Sequence, residues 1–227
     1  MGKQARIRIG TRRSDLAQWQ AKRVQTLIQN NYPELFCELV LIDTTGDINL
    51  TDSISEIGGK GIFLKEIEQA LVNNDIDIAI HSFKDITVTP LNKLKYSGFI
   101  LEESVSDAFI LFDNFNLGVD KLTIATGSLR RQALCQKLYP NISCVDIRGN
   151  IQTRIKKAKK AGYDGLLLSM AGLERLGLDE LVTHQCDPNI FIPAPGQGII
   201  AIQQKSQDSE IELIIKSITT PSINELA

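Results

Sequence analysis

The chain has no C-x-x-C pair and only two histidines, His81 and His184, set far apart, so neither thiolate nor imidazole spacing marks a metal site. No window approaches the roughly 20 apolar residues of a membrane-spanning helix. Met1–Gly10 has basic residues with no apolar run behind them, so it is not read as a secretory signal. A basic surplus is missing too: Lys+Arg 25 against Asp+Glu 27 leaves a formal charge of -2, which argues against a bulk nucleic-acid binder but not against a local basic pocket. The four cysteines, Cys37, Cys135, Cys144 and Cys186, lie in or beside apolar stretches and read as reduced and mostly buried, as in a cytoplasmic protein. Without a secretory route the sequons at Asn49 and Asn141 mean little.

What remains is a chain of ordinary globular composition, 43% hydrophobic and 23% charged over 227 residues, long enough for one large domain or two small ones. Its hydrophobic period alternates between strand-like and helix-like segments. Ile7–Gly10 reads as a strand, and Ser14 as the N-cap of a helix carrying Leu16, Ala17, Gln20, Val24, Leu27 and Ile28. Further strands are expected at Glu38–Asp43, Asp75–His81, Leu122–Ala125, Cys144–Ile147, Gly165–Ser169 and Ile199–Gln203. Helices are expected at Ile62–Asn73, Leu129–Leu138, Ile151–Ala161, Ala171–Leu176 and Glu210–Ile218. Such alternation implies βαβ units and an α/β protein with largely parallel sheets, every strand's carboxyl end lying on one ligand-binding edge. No internal repeat or low-complexity stretch is visible. Two joints, Ser97–Glu103 and the Pro- and Gly-rich Phe191–Gly198, read as crossings between domains, giving a discontinuous first domain of residues 1–98 plus 195–227 and a second of 99–194.

Six of the ten arginines (Arg12, Arg130, Arg131, Arg148, Arg154, Arg175) fall in strand-to-helix turns or in the helix that follows. Their neighbours are small or hydroxylic: Ser14 beside Arg12, Thr126, Gly127 and Ser128 before Arg130, Gly149 after Arg148, and Ala171 and Gly172 before Arg175. A helix N-terminus offers free N–H groups, glycine allows close approach, and guanidinium matches carboxylate or phosphate. One such turn reads as a solvated surface. Five together on one sheet edge, counting Gly58-Gly59-Lys60-Gly61, suggest a cleft between two domains that grips a polyanion. That glycine run has the spacing of no nucleotide motif, and a plain loop before a helix describes Lys60 equally well.

The strand Asp75–His81 runs into Ser82-Phe83-Lys84-Asp85, which puts an acid on the same edge. A carboxylate there could accept ligand N–H donors or stabilise developing positive charge. By spacing alone, a turn with two solvated charges accounts for it as well. His81, at the strand end, reads as a satisfied core histidine.

Taken in order, the blocks IGTRRSDLAQWQA, GGKGIFLKEIEQAL, DIAIHSFKD, TGSLRRQ, IRGNIQTR, AGLERLGL and PAPGQG resemble the porphobilinogen deaminases, or hydroxymethylbilane synthases, over most of the chain. The resemblance implies two domains like those of periplasmic binding proteins, with a cleft between them, and a small third C-terminal domain that is absent here. It implies a transferase of haem biosynthesis that condenses four porphobilinogen molecules into hydroxymethylbilane, one ammonia leaving from each. It makes Asp85 the catalytic residue, and Arg12, Ser14, Lys84, Thr126, Ser128, Arg130, Arg131, Arg148, Gly149, Arg154 and Arg175 binding residues for substrate and cofactor, with Lys60, Ser82 and Gln197 beside them. The implied cofactor is dipyrromethane, held by a thioether to a cysteine in a Gly-Gly-Cys turn. No such turn occurs and none of the four cysteines matches that position, so the cofactor is expected to be absent and covalent priming by this chain alone to fail. Gly127 stands where the family often has Ser, and Thr45 where it often has Arg.

The expected partners are porphobilinogen and its linear oligomers, with no metal, nucleic acid or membrane, for a cytoplasmic monomer. Two other readings stand beside this one. A non-catalytic anion-binding module of the solute-binding class would share the fold. The effector domain of a transcription regulator would need a helix-turn-helix segment, and none precedes Ile7.

Overall fold

The computed structural model describes residues 6–48, 63–101 and 104–220. The chain divides into two compact units, Met1–Glu102 with Ile199–Ala227, and Glu103–Gly198.

The first unit is built on strands β1 (Arg6–Arg12), β2 (Phe36–Ile42), β3 (Ile78–Ser82) and β4 (Leu94–Leu101), with helices α1 (Asp15–Asn31), α2 (Thr45–Ile48) and α3 (Lys65–Val72). The second carries β5 (Asp107–Leu111), β6 (Leu122–Ala125), α4 (Leu129–Leu138), β7 (Ile142–Val145), α5 (Ile151–Lys160), β8 (Gly165–Ser169), α6 (Met170–Arg175) and the two-residue β9 (His184–Gln185). The chain then returns as β10 (Ile199–Lys205) and α7 (Ser209–Ile218), which complete the first unit.

The strand orders are β2-β1-β3-β10-β4 and β7-β6-β8-β5-β9. In the first sheet β1 pairs parallel with β2 and β3, whereas β10 runs antiparallel to β3 and β4. In the second, β6 pairs parallel with β7 and β8, and β5 runs antiparallel to β8 and β9. Both sheets are therefore mixed, and the expectation that every strand ends on one edge is corrected. β5 and β10 are the first strands after the chain passes from one unit to the other. Each enters its sheet from the edge where the others end, so its amino end lies there. The two units thus share one topology without any repeat in sequence.

Period-two alternation sorts each sheet's residues between two helical layers. In the first, Ile7, Ile9, Ile78, Ile80, Ile200 and Ile202 face Ala21, Val24 and Ile28 of α1 and Ile214, Ile215 and Ile218 of α7. The odd-register Ala79 faces Ile67 and Leu71 of α3 on the other side. In the second, Leu166 and Leu168 pack with Ala158 of α5 and Leu173 of α6, while Leu167 packs with Cys135 of α4. Each fully buried Ile or Leu contributes about 1.5–3 kcal/mol, so these layers hold the strand ends, and the turns that follow them, in fixed register.

Candidate functional site

In the first unit the parallel register Gly10↔Ala79 brings the carboxyl ends of β1 and β3 side by side. Arg12 closes β1. Thr11, fully buried, donates its hydroxyl to the Ala17 carbonyl at 3.0 Å and tightens the turn into α1. Ser14 occupies the N-cap position of α1 without a side-chain capping bond. After β3 the chain makes a single tight turn, Phe83–Asp85, pinned by an edge-to-face contact between Phe83 and Phe99 with centroids 4.9 Å apart. Arg12, Ser14, Gln20, Phe63, His81, Ser82 and Asp85 consequently line one cleft, of about 460 Å³ counting its open mouth. Asp85 is exposed, and Lys84 next to it is half-buried.

Arg12 is held from two sides. Its Nε donates to Asp47 at 2.9 Å, and its guanidinium lies 3.8 Å from the centroid of the Phe63 ring. Burial would raise the pKa of Asp47, but the Arg12 guanidinium and the Thr44 hydroxyl outweigh it and hold the carboxyl below its ordinary value. Gln20, 2% exposed, donates to the Ser82 hydroxyl at 3.0 Å.

Behind the cleft runs a buried chain of side chains. Gln203 donates its Nε2 to Glu68 at 2.7 Å, which turns its Oε1 toward His81 Nε2 at 3.0 Å. Because a carboxylate only accepts, this orientation makes His81 the donor at Nε2 and leaves Nδ1 unprotonated. Burial pushes the His81 pKa down to about 4; the Gln203 bond opposes this and the nearby Arg12 charge adds to it. His81 is thus a neutral, hydrogen-bonded histidine in the wall of the cleft.

In the second unit β6 lies between its parallel neighbours β7 and β8, so the turns after all three open on one edge. Thr126, Ser128, Arg130 and Arg131 follow β6, Arg148 and Gly149 follow β7, and Arg175 closes the helix after β8. Ser128 caps α4, accepting from the Arg131 amide, and Asn150 caps α5, accepting from the Thr153 amide at 2.8 Å. Gly149 has φ +117, a conformation that suits glycine, and its carbonyl accepts from Arg154 Nε at 2.7 Å. At Gly127 an added Cβ would stand 2.9 Å from the Ile147 carbonyl oxygen, so any larger residue here requires that turn to shift.

The amino end of the antiparallel β5 reaches the same edge, with Asp107 opposite Ser169. Asp107 is fully buried. It accepts from Arg131 Nε at 2.9 Å, from Arg130 Nη2 at 2.7 Å and from Gln197 Nε2 at 2.9 Å. Arg131 is itself buried, whereas Arg130 is partly exposed. Arg148 is held only loosely, 3.6 Å from Asp146, and Arg154 is half-buried. Arg175 is 6% exposed and donates to the Gly198 carbonyl at 2.7 Å.

The expected residues therefore lie in two groups, each on its own sheet, rather than five turns on a single edge. Arg12, Ser14, Ser82, Lys84 and Asp85 are at one; Thr126, Ser128, Arg130, Arg131, Arg148, Gly149, Arg154, Arg175 and Gln197 are at or near the other. Lys60 and its glycine run lie outside the described residues. Sequence reasoning missed the partners: Asp47, Phe63, Glu68, Gln203 and above all Asp107. The available signal for Asp107 was an acid opening an apolar stretch, D-A-F-I-L, since an unpaired acid is rarely buried. Among the described residues there is no His/Cys/Asp/Glu group suited to a metal ion, and no helix long and apolar enough to cross a membrane.

Comparison with known proteins is consistent with both the architecture and the motifs. The chain resembles, in fold alone, a domain of Bordetella pertussis BvgS (14% identity, TM-score 0.55, 98% of this chain and 90% of that one) and a TRAP periplasmic solute binding protein from Desulfovibrio salexigens (10% identity, TM-score 0.56, 95% and 72%). Residues 7–213 match the family described as porphobilinogen deaminase, dipyromethane cofactor binding domain. A porphobilinogen deaminase from Syntrophomonas wolfei is 38% identical over 214 residues, 93% of this chain and 70% of that protein. One from Coxiella burnetii is 38% identical over 218 residues, 96% and 71%, respectively. The chain belongs to the porphobilinogen deaminase family.

Proposed function

We propose that this chain binds porphobilinogen and its linear oligomers and carries the residues that condense four porphobilinogen molecules into hydroxymethylbilane. The observation that carries this reading is the cleft in which Arg12, Ser14 and Asp85 meet at the ends of two adjacent strands.

Each pyrrole ring bears an acetate and a propionate, so a growing chain is a polyanion that needs fixed cations and hydroxyl donors. Arg12, Ser14 and Lys84 in the first unit, and Ser128, Arg130, Arg148 and Arg154 in the second, are of the right chemistry. Thr126, Arg131, Arg175 and Gln197 are buried. Thr126 accepts from the Ser128 amide, and Arg131 and Gln197 bond to the same Asp107 that holds Arg130. Asp85 is a carboxylate among cations, and repels the substrate's acid groups while accepting its pyrrole N–H. When ammonia leaves the aminomethyl carbon, positive charge spreads over that ring and its N–H, and Asp85 stabilises it electrostatically. The free α-carbon of the neighbouring pyrrole then forms the new C–C bond. The proton lost from that carbon restores aromaticity, with Asp85 positioned to assist the transfer. Four such losses of ammonia, with one water supplying the terminal hydroxyl, balance the reaction.

Dipyrromethane fits the same kinds of donor, because its ring carboxylates suit guanidinium and hydroxyl groups such as Arg12 and Ser14, and its N–H groups suit a carboxylate such as Asp85. When bound, it supplies the first nucleophilic pyrrole carbon. Covalent attachment is a different matter. Cys37, Cys135 and Cys186 are buried, Cys144 is half-buried in β7, and none of the four lies in a Gly-Gly-Cys turn.

The test is Asp85→Asn in a full-length context, with ammonia release and porphobilinogen consumption measured. The variant should fold and bind pyrrole ligand while turnover falls about 100-fold or more. A wild-type rate would refute the role of Asp85. Ligand binding without ammonia release by the unsubstituted protein would instead favour a non-catalytic anion-binding module.

A further inference from the structure

In the cluster at the amino end of β5, two arginines share one buried carboxylate. Arg131 engages three of its five guanidinium hydrogens, Nε with Asp107 at 2.9 Å, Nη2 with Gln197 at 3.4 Å and Nη1 with the Leu167 carbonyl at 3.4 Å, and its Nη2 also lies 2.8 Å from Asp107 as an ion pair. Arg130 engages two, Nη2 with Asp107 at 2.7 Å and Nη1 with the Ile192 carbonyl at 2.6 Å. Its Nε–H and one hydrogen on each Nη have no acceptor among the described residues, and 25% of its side chain is exposed against 8% for Arg131. The side chains of the three groups sum to one positive charge. Gln197 closes the cluster from behind, donating to Asp107 at 2.9 Å and to the Val105 carbonyl at 2.7 Å.

We infer that Asp107 is a positioning residue for ligand binding, which fixes Arg131 as a buried brace and turns the free edge of Arg130 outward as the cation that meets a ligand carboxylate. The inference rests on the pyrrole-polycarboxylate reading above and divides the labour between two arginines that are adjacent in sequence. Two opposing effects make it testable. Asp107→Asn raises the charge of the cluster from one to two, so if the arginines act only as a source of positive potential, a polyanion binds more tightly. If their orientation matters, the same substitution releases both guanidinium groups and binding weakens.

The experiment measures binding of a dipyrrole tetracarboxylate (two acetates, two propionates) by titration calorimetry, at low salt, to the wild-type chain and to Asp107→Asn, with circular dichroism as the fold control. Affinity should fall about tenfold or more, as for loss of one charge-assisted hydrogen bond. Unchanged or tighter binding to a folded variant overturns the positioning role and leaves the functional reading intact; no binding by wild type overturns both. Should Asp107→Asn fail to fold, the Arg Nε–H resonances of the wild-type protein decide. On adding the dipyrrole, the Arg130 signal should shift, while that of Arg131 stays protected from exchange and nearly unmoved. A larger shift at Arg131 would overturn the inference.

Discussion

His81 offers a quantitative test of the cleft wall. Its folded pKa is held at about 4 against an ordinary 6.5, first by burial and further by the Arg12 charge, with the Gln203 bond working the other way. The folded value lies below the unfolded one, so between them the unfolded chain binds the extra proton. The contribution of His81 to stability is therefore complete above pH 6.5, falls as pH drops through the window, and is flat below about pH 4. At about 1.4 kcal/mol for each pH unit the loss comes to about 3 kcal/mol. The assay is urea unfolding of the wild-type chain and of His81→Gln at pH values spanning that window. Glutamine keeps a donor for the Gln203 carbonyl but does not titrate. Asp47 and Glu66, both held below the ordinary carboxylate range, titrate in both proteins and cancel in the comparison. The difference in stability between the two proteins should narrow by about 3 kcal/mol from the top of the window to the bottom. A difference independent of pH would mean that His81 is solvated or charged in the fold, and that the Glu68–Gln203–His81 chain is misread.

Two other outcomes follow from the second unit and the cysteines. Arg148→Ala should weaken binding of a pyrrole polycarboxylate about tenfold at low salt and flatten its salt dependence, because this loosely held guanidinium is among the groups best able to meet a ligand; unchanged low-salt affinity would count against the site. Intact-mass measurement of the purified chain should give the mass of the sequence with no two-ring adduct, because none of its four cysteines lies in a Gly-Gly-Cys turn. A dipyrrole increment would contradict this. Burial raises the thiol pKa of Cys37, and that of Cys186 to about 12, so the half-buried Cys144, whose thiol the Cys135 hydrogen bond holds below its ordinary value, is the one to inspect if an adduct is found.

Much of the fold was legible where apolar runs stood between clear turn signals. β6, α4 and β8 have the bounds that the sequence suggests, because Thr126-Gly127-Ser128 and the glycine at 165 punctuate them. Strand ends were less legible. β7 begins at Ile142 and stops at Val145, since Asp146 is exposed and Ile147, though buried, belongs to the turn. β5 was not anticipated, for its leading Asp107 looks like a surface acid until its two arginines are in place. β9, two residues long, has no period to read. The direction of β5 and β10 escaped for a topological reason: local pattern marks a strand, but not the edge from which it enters a sheet. The site divides in the same way. Helix-starting turns located the cations, because the chemistry of a strand end is local. Which cations are tied to acids was not local. Arg12 is answered by Asp47 and Arg131 by Asp107, and both acids lie in other segments of the chain.

The most direct test of the central claim is a backbone amide shift map of the isotope-labelled chain titrated with dipyrrole tetracarboxylate. Shifts should gather on Arg12–Ser14 and Ser82–Asp85 in the first unit and on Ser128 and Arg148–Gly149 in the second, and should fade as salt is added. Shifts confined to other surfaces, or no shifts at low salt, would contradict the assignment of these turns to a pyrrole polycarboxylate.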